Sequence, residues 1–529
     1  MTKQRSLVVL GTCCLSLLLV TMDLTIVNVA LPSIRSDLHA SVEALQWSID
    51  GYTVVVASFL MLSGSVADRF GRRRTFQVGL AVFSLGSLLC SLAPTANALV
   101  GSRMLQALGG SMLNPVAMSI VANTFTDPKE RARAIGVWGA VFGVSMAAGP
   151  MLGGALVDSL GWRSIFWINL PIAVVAFWLT ARFVPESRAE RPRRLDLVAQ
   201  ALIIVGLLAL TSAVIDGRRE GWSSWTIMAG FGTALACAVT LVVWESRQAE
   251  PLLDLRLFRS LAFSSATVLA ALSFAAFSGF LFLNALYLQE ARGLSASAAG
   301  ITTLPIALAL LVSSPLSGRL VAAGGARVAI VVSGAAIAGG ALILTRLAND
   351  TSAPVLLVAY TIFGVGLGCI GAPVNTAAIA GMPRSQAGLA AAIASASRQV
   401  GAALGVAVAG ALAGSGIEAG HHAELADSTH AVFWIIAAQG VAIAVLGVVS
   451  PSCSLISLDR DRARPGPPPR RLARARPQAR SGPRARWRGS AGAARFAAFS
   501  HARASVRVSQ PPPRRRSSSA PPAPPTRPR

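Results

Sequence analysis

Charge is scarce in this chain. Asp, Glu, Lys and Arg make up only 13% of its 529 residues, against 53% hydrophobic residues, where soluble domains carry about 25% charged residues. That balance excludes an ordinary soluble globular protein and points to the bilayer. Cysteine is also rare: Cys13, Cys14, Cys90, Cys237 and Cys369 lie inside apolar runs, and Cys453 follows the last one. Their spacing matches neither a disulfide framework nor a metal site, so they read as small buried hydrophobes. There is no GxxxxGK[ST] segment, which excludes a Walker-type ATP site, and no nucleophile–base set marks hydrolytic chemistry. The segment GLGCIG at 366–371 has the form GxGxxG, but it sits inside an apolar run with no strand before it, which excludes dinucleotide binding. The N-terminal apolar run from Leu7 passes Asp23 to Leu31 without a convincing cleavage site, so it reads as an anchor and not a signal peptide.

Long apolar runs are what the sequence has in abundance. A membrane-spanning helix needs about 20 mostly apolar residues. Candidates lie near 7–31, 45–63, 75–93, 97–124, 135–157, 165–184, 197–215, 224–244, 261–288, 298–320, 327–347, 354–381, 386–413 and 431–450. Fourteen spans put both termini on one side. The loops on that side hold Arg69, Arg72, Arg73, Arg74, Lys129, Arg131, Arg133, Arg188, Arg191, Arg193 and Arg194, while the alternate loops have little net positive charge. The basic side is expected to be cytoplasmic.

The loop SGSVADRFGRRR after the second span matches SGRLVAAGGAR after the tenth at Ser63/Ser317, Gly64/Gly318, Gly71/Gly325 and Arg73/Arg327. The two loops are equivalent if six spans form each half and spans seven and eight are inserted between the halves, a transporter arrangement. The expected divisions are 1–184 and 261–450 for the halves, 185–260 for the inserted pair, and 451–529 for a tail. From Asp459 onward, 19 arginines face two aspartates, so the tail holds +17 of the chain's net +24. Its Pro, Arg, Ala and Ser composition cannot bury a core and is expected to be disordered. Attraction to anionic lipid, non-specific nucleic-acid binding and a functionless extension all fit it. The last is favoured, because arginine without lysine is what a GC-rich gene gives when read in a shifted frame.

A charge inside the bilayer costs about 2.5–3.5 kcal/mol on insertion scales, so each one is a functional candidate. Asp23, Asp50 and Arg103 fall at about the same depth in spans one, two and four, roughly 8–12 Å below the outer boundary. Two carboxylates and one guanidinium there suit proton coupling, because burial disfavours a carboxylate's charge and a nearby arginine favours it. The structural alternatives are a plain ion pair, or Asp50 merely reaching the interface, and for Asp23 and Arg103 the coupling reading is favoured. Arg398 lies near the middle of span thirteen with no acidic residue at similar depth in the second half, and suits substrate binding or the capping of backbone carbonyls. Span five carries Gly139 and Gly143, a small-xxx-small face. Beyond them lie Gly149, Pro150, Gly153 and Gly154, where the proline should break helical bonding. Glu418, His421, His422, Glu424, Asp427 and His430 crowd one outer loop without defined ligand spacing, so a solvated loop is the better reading and no metal site is assigned.

These segments closely resemble the major facilitator superfamily, specifically its 14-span drug:proton antiporters. GSVADRFGRRR (64–74) resembles the superfamily's loop signature through Gly64, Asp68, Arg69, Gly71, Arg72 and Arg73. MDLTIVNVALP (22–32) places Asp23 at the acidic position of the first-span motif, and LVGSRMLQALGG (99–110) places Arg103 at the basic position of the fourth-span motif. GPMLGG (149–154) resembles the fifth-span exporter motif, and GWRSIFWINLP (161–171) the following loop motif, with Ser164 where an aromatic is usual. The resemblance spans about residues 7–450, and the tail departs from it. In the second-half loop Ala322 stands at the acidic position.

The resemblance implies an all-α polytopic fold with two six-helix halves plus two inserted helices, working by alternating access. It implies a non-enzymatic, monomeric exporter in the cell membrane that takes a small amphipathic drug, antibiotic or secondary metabolite out as protons enter. No cofactor and no specific nucleic acid is implied. Asp23, Arg103 and Asp50 would couple protons, and Asp68 with Arg69 would latch the halves in the outward-facing state, with Gly64 permitting close helix approach. Asn114, Trp138, Asn284, Tyr287, Asn375 and Arg398 are the candidate cavity residues. The alternatives are a proton-coupled uptake symporter and, from another class, a receptor or scaffold signalling through its basic tail. A scaffold has no need of buried charge. Substrate identity and proton stoichiometry are not written in the sequence.

Overall fold

The computed structural model of the chain describes residues 3–189, 195–248, 252–348, 350–379, 387–419 and 422–449. The arginine-rich tail, and the expectation that it is disordered, lie outside the described residues, as do Arg191, Arg193 and Arg194. Sixteen α-helices make up the described part. They begin with α1 (Lys3–Leu38), α2 (Val42–Phe70), α3 (Arg72–Ser91), α4 (Ala96–Thr124), α5 (Pro128–Leu160), α6 (Ser164–Trp167), α7 (Asn169–Phe183) and α8 (Leu197–Glu220). They continue with α9 (Trp225–Arg247), α10 (Leu261–Leu286), α11 (Ala296–Thr302), α12 (Leu304–Ala322), α13 (Ala326–Leu344), α14 (Ala353–Ile379), α15 (Ala387–Ala419) and α16 (His422–Val449). A 3-10 turn (Leu255–Arg259) precedes α10, and a π turn (Tyr287–Ala291) follows it. Among the described residues, fourteen helical stretches are long and apolar enough to cross a membrane, as the sequence predicts. The sixth joins α6 to α7, the ninth α10 to its π turn, and the tenth α11 to α12.

Local chemistry sets where these helices start. Ser41, Thr95, Asp127, Asp196, Ser224, Ser260 and Ser295 each accept a hydrogen bond from a backbone N–H in the first turn that follows. Such caps satisfy donors that the helix itself cannot. Between α2 and α3 the chain reverses in a single residue, Gly71, at φ +114°, a backbone region that side chains avoid. In the matching loop of the second half the left-handed residue is Gly324, at φ +88°, one position before the Gly325 that aligns with Gly71.

The helix pairs of the first six spans recur in the last six. In the first bundle α1 packs on α5, α2 on α4, α3 on α4 and α3 on α7. In the second, the corresponding pairs are α10 on α15, α12 on α14, α13 on α14 and α13 on α16. The two bundles meet through α2 on α15 and through α5 on α11 and α12. The hairpin α8–α9 lies outside both, with α8 against α2 and α15. Helix α9 is almost wholly exposed, and Leu235, Val239 and Val242 face outward with Leu85, Val174, Trp178, Val312 and Val441 of other helices. An apolar outer surface of this kind is what lipid contact requires.

Helix α5 continues through Pro150, which has no N–H to donate to the carbonyl of Met146 four residues earlier. In α14, the segment GLGCIG is helix, and its glycines let α12 and α13 approach: a side chain at Gly366 would meet Ile337 and Ser333, and one at Gly368 would meet Leu310 and Ser313.

Candidate functional site

Helix α1 carries an acid into the middle of the first bundle. Asp23 is fully buried, and Arg103 on α4 is 1% exposed. Arg103 Nη1 donates to Asp23 Oδ2 at 2.6 Å and to Gln106 Oε1 at 2.7 Å, while its Nε donates to the Ser48 carbonyl at 3.1 Å. Gln106 Nε2 donates to Asp23 Oδ1 at 2.9 Å and to Ser87 Oγ at 3.2 Å. Asn169 Nδ2 reaches Ser87 Oγ at 3.0 Å and Asp23 Oδ1 at 3.4 Å. The guanidinium lies 4.4 Å from the Tyr52 ring centroid and 5.9 Å from that of Phe166. Every member of this network comes from α1, α2, α3, α4, α6 or α7. The site therefore lies inside one bundle, not between the two.

Close packing fixes that geometry. Gly86 of α3 lies against the Gln106 backbone, where any side chain would collide. Sequence reasoning does not single out Gln106, Ser87 or Asn169. Gln106 and Asn169 do fall within the fourth-span and loop motif segments, one helical turn after Arg103 and at the end of GWRSIFWIN.

Asp50 does not join the pair. It is fully buried, and neither carboxyl oxygen has a hydrogen-bond partner. Arg103 meets Ser48 and Tyr52, two residues before and after Asp50, which at 100° per residue puts them on the opposite side of α2. Asp50 shares its face with Gln46, whose Nε2 donates to the Ala407 carbonyl of α15 at 3.0 Å. The expected three-residue cluster is thus a pair plus a separate acid turned toward the second bundle.

The island at 64–74 is tied to its own bundle. Asp68 accepts from Arg72 Nη2 at 2.7 Å, within its own bundle, and Arg69 is exposed. Glu186, unforeseen in the sequence, accepts from the Arg73 backbone N–H at 3.1 Å and lies 3.8 Å from Arg74 Nε. Arg73 Nη2 donates to the Ala181 carbonyl at 2.7 Å. A side chain at Gly71 would meet Glu186. One at Gly64 would meet nothing within 4 Å, so no helix is closely packed there.

At the face opposite the N-terminus the two bundles are closed against each other. Asp158 at the end of α5 accepts from the N–H groups of Ala296 and Ser297 at 3.2 and 2.8 Å, at the start of α11. Arg35 Nη1 and Glu290 Oε2 are 2.7 Å apart, and Gln289 Nε2 donates to the Val29 carbonyl at 2.8 Å. Gly149 and Gly153 admit Thr25 and Ile26 of α1, Gly154 admits Ala296, and the Pro150 carbonyl faces Gly300. Gly143 touches Leu310 and Leu311 of α12, whereas a side chain at Gly139 would meet nothing.

The candidate cavity residues do not form one pocket. Arg398 Nη1 donates to Asn375 Oδ1 at 3.4 Å, which joins those two. Asn114 is half-buried with an unpartnered Oδ1, and Trp138 packs on the first bundle's core. Asn284 is buried and accepts from the Tyr360 hydroxyl. Tyr287 is 1% exposed and donates to the Ala348 carbonyl at 2.7 Å, so it is locked in the packing and does not face a cavity. His430 Nε2 pairs with the Leu347 carbonyl at 2.7 Å. The side chains of Glu418, His421, His422, Glu424 and Asp427 lie outside the described residues, and no metal-ligating group of three occurs among the described ones.

Two repeated six-span bundles, the first with a buried ion pair inside it, that close against each other at one face have the architecture of a polytopic membrane transporter. Sequence comparison gives the family. The model of the Major Facilitator Superfamily matches residues 13–406 and again 266–507. The chain is 38% identical over 413 residues to the multidrug resistance protein Stp of Mycobacterium tuberculosis, covering 78% of this chain and 76% of that one. It is 33% identical to the tetracenomycin C resistance and export protein of Streptomyces glaucescens, covering 75% and 74%. Among solved structures, a bacterial homologue of the human lysosomal transporter Spinster has a TM-score of 0.61 at 18% identity, covering 85% of this chain and 98% of that one. The chain belongs to the Major Facilitator Superfamily.

Removing one partner from a buried ion pair costs about 3–5 kcal/mol. Arg103→Gln should therefore lower the unfolding temperature of the detergent-purified protein markedly, and adding Asp23→Asn should restore much of the loss. An unchanged melt for Arg103→Gln would show that the pair contributes nothing to stability. Asp158 is exposed, so its hydrogen bonds stabilise the closed face by only about 0.5–1 kcal/mol, and Asp158→Ala should open that face about two- to fivefold more often. Labelling of an Ile26→Cys variant by an impermeant thiol reagent should rise accordingly, and a rate unaffected by Asp158→Ala would contradict this role.

Proposed function

We propose that this chain exports amphipathic drugs, antibiotics or secondary metabolites across the cell membrane in exchange for protons, without a bound cofactor and as a monomer. The observation that carries the reading is the Asp23–Arg103 pair, fully enclosed in the first bundle. Relatives whose names describe multidrug resistance and antibiotic export support the direction of transport. The basic loops support a cytoplasmic N-terminal face, with the closed face outward. The six spans on either side of α8–α9 are then the two moving halves.

The physical sequence follows from the site. Protonating Asp23 removes its charge, so Arg103 keeps only neutral acceptors, Gln106 Oε1 and the Ser48 carbonyl, together with the Tyr52 ring. The same helix carries Thr25, Ile26 and Val29 against α5 and the π turn at the closed face. Movement of α1 when the pair loosens would be felt directly at that seal. Asp50, unpartnered on the α2 face toward α15, is a second proton carrier between the halves. In this conformation Asp68 bonds within its own half. A latch to the other half would form when the opposite face opens.

Asp23→Asn should insert in the membrane yet lose pH-gradient-driven efflux of ethidium from proteoliposomes, by at least about a hundredfold. Wild-type, gradient-dependent efflux by that variant would remove Asp23 from the coupling.

A further inference from the structure

Arg398 is a cation deep in the second bundle with only neutral company. It sits eleven residues into α15, about 16 Å along the helix from its start, and nine residues inside the apolar span Leu389–Gly414. Its Nη1 donates to Asn375 Oδ1 at 3.4 Å and its Nη2 to Ser395 Oγ at 2.5 Å. The guanidinium carbon lies 5.8 Å from the Phe274 ring centroid. Among the described residues no carboxylate pairs with it. Arg398 and Phe274 are half-buried, and Asn375 and Thr376 are exposed.

Its direction on α15 separates it from Asp50. Val400, Ala403 and Leu404 face α2 and α8, together with Val54, Ala57 and Leu207. Gly401 and Gly405 face α10, against Ala271 and Ala275. Arg398 projects with the second set, toward α10 and α14, so it is not a counter-ion for Asp50 in this conformation. A guanidinium offers five N–H donors in a planar fork, and two hydrogen bonds to neutral oxygens leave most of that capacity open. A bare cation at this depth is costly, and a planar anion satisfies such a fork in a bidentate manner.

We propose that Arg398, with Asn375, Ser395 and Phe274, forms a recognition site for an anionic group, a carboxylate or sulfonate, borne on an aromatic substrate. Arg398 supplies the charge-assisted hydrogen bonds, Asn375 and Ser395 hold the fork, and Phe274 flanks the ring. That the bound anion is cargo rests on the exporter reading. A lipid phosphate shares this chemistry, but the depth of Arg398 favours the substrate as its source.

The test uses two dyes with one ring system, anionic 1-anilinonaphthalene-8-sulfonate and neutral N-phenyl-1-naphthylamine, binding the full chain in nanodiscs. Arg398→Gln should weaken the sulfonate at least about tenfold, because a neutral amide cannot replace the charge-assisted hydrogen bonds of the guanidinium, and should leave the neutral amine within about twofold. Arg398→Lys should fall between. Equal loss of both dyes, or no change in either, would overturn the site. Competition by phosphatidylglycerol against phosphatidylcholine discs would reassign it to lipid and overturn the substrate claim. Retained binding of the neutral amine shows that the variant is folded. Efflux of the neutral amine driven by a pH gradient tests the exporter reading separately. If that efflux fails while the sulfonate still needs Arg398, the anion site stands without the exporter. If it proceeds while the sulfonate ignores Arg398, the exporter stands and the site falls.

Discussion

The ion pair between Asp23 and Arg103 is the constraint around which the first bundle is arranged. A carboxylate and a guanidinium removed from water are tolerated only when their remaining donors and acceptors are met. Here Gln106, Asn169, the Ser48 carbonyl and two aromatic rings do that, and they draw on four helices. Gly86 is needed where α3 must approach Gln106 closely enough for Ser87 to join. Breaking the pair therefore disturbs a whole bundle, as the proposed coupling role requires.

Helix α1 links that site to the seal between the halves. Asp23 points into the first bundle, whereas Thr25 and Ile26 fill the glycine notches of α5, and the Val29 carbonyl and Arg35 meet the second bundle. The closed face is held by groups of two kinds. Asp158 and the Arg35–Glu290 pair are charged and solvent-accessible, and water can replace them. Of the glycine contacts, Gly154 against Ala296 and Gly300 against the Pro150 carbonyl cross between the bundles, whereas Gly149 and Gly153 hold α1 on α5 within the first. Hydrogen bonds that water can replace suit the opening that the proposed exporter mechanism requires.

Much of this was legible in the sequence, and the reasons differ by feature. The fourteen spans followed from apolar length alone, because the bilayer imposes one length on every crossing. Asp23 and Arg103 were visible because charge inside a span is rare and costly. Their partners Gln106, Ser87 and Asn169 were not, since neutral polar residues in transmembrane helices carry no comparable signal. Depth put Asp50 level with the pair, but depth says nothing about azimuth, and one helical face decided otherwise. Tyr287 read as a cavity residue, yet a backbone carbonyl sixty-one residues away holds its hydroxyl. Glu186 escaped notice because its role depends on the turn at Gly71, which brings α3 back beside the end of α7.

In the proposed mechanism, opening the Asp23–Arg103 pair and carrying a proton are one event. The most direct measurement is proton movement driven by substrate alone. Proteoliposomes loaded with a pH-sensitive dye are given an ethidium gradient and no initial pH difference. Proton flow opposite to the ethidium is expected, and it should be absent in Asp23→Asn. Ethidium flux without any countering proton movement in the unaltered protein would contradict the coupling.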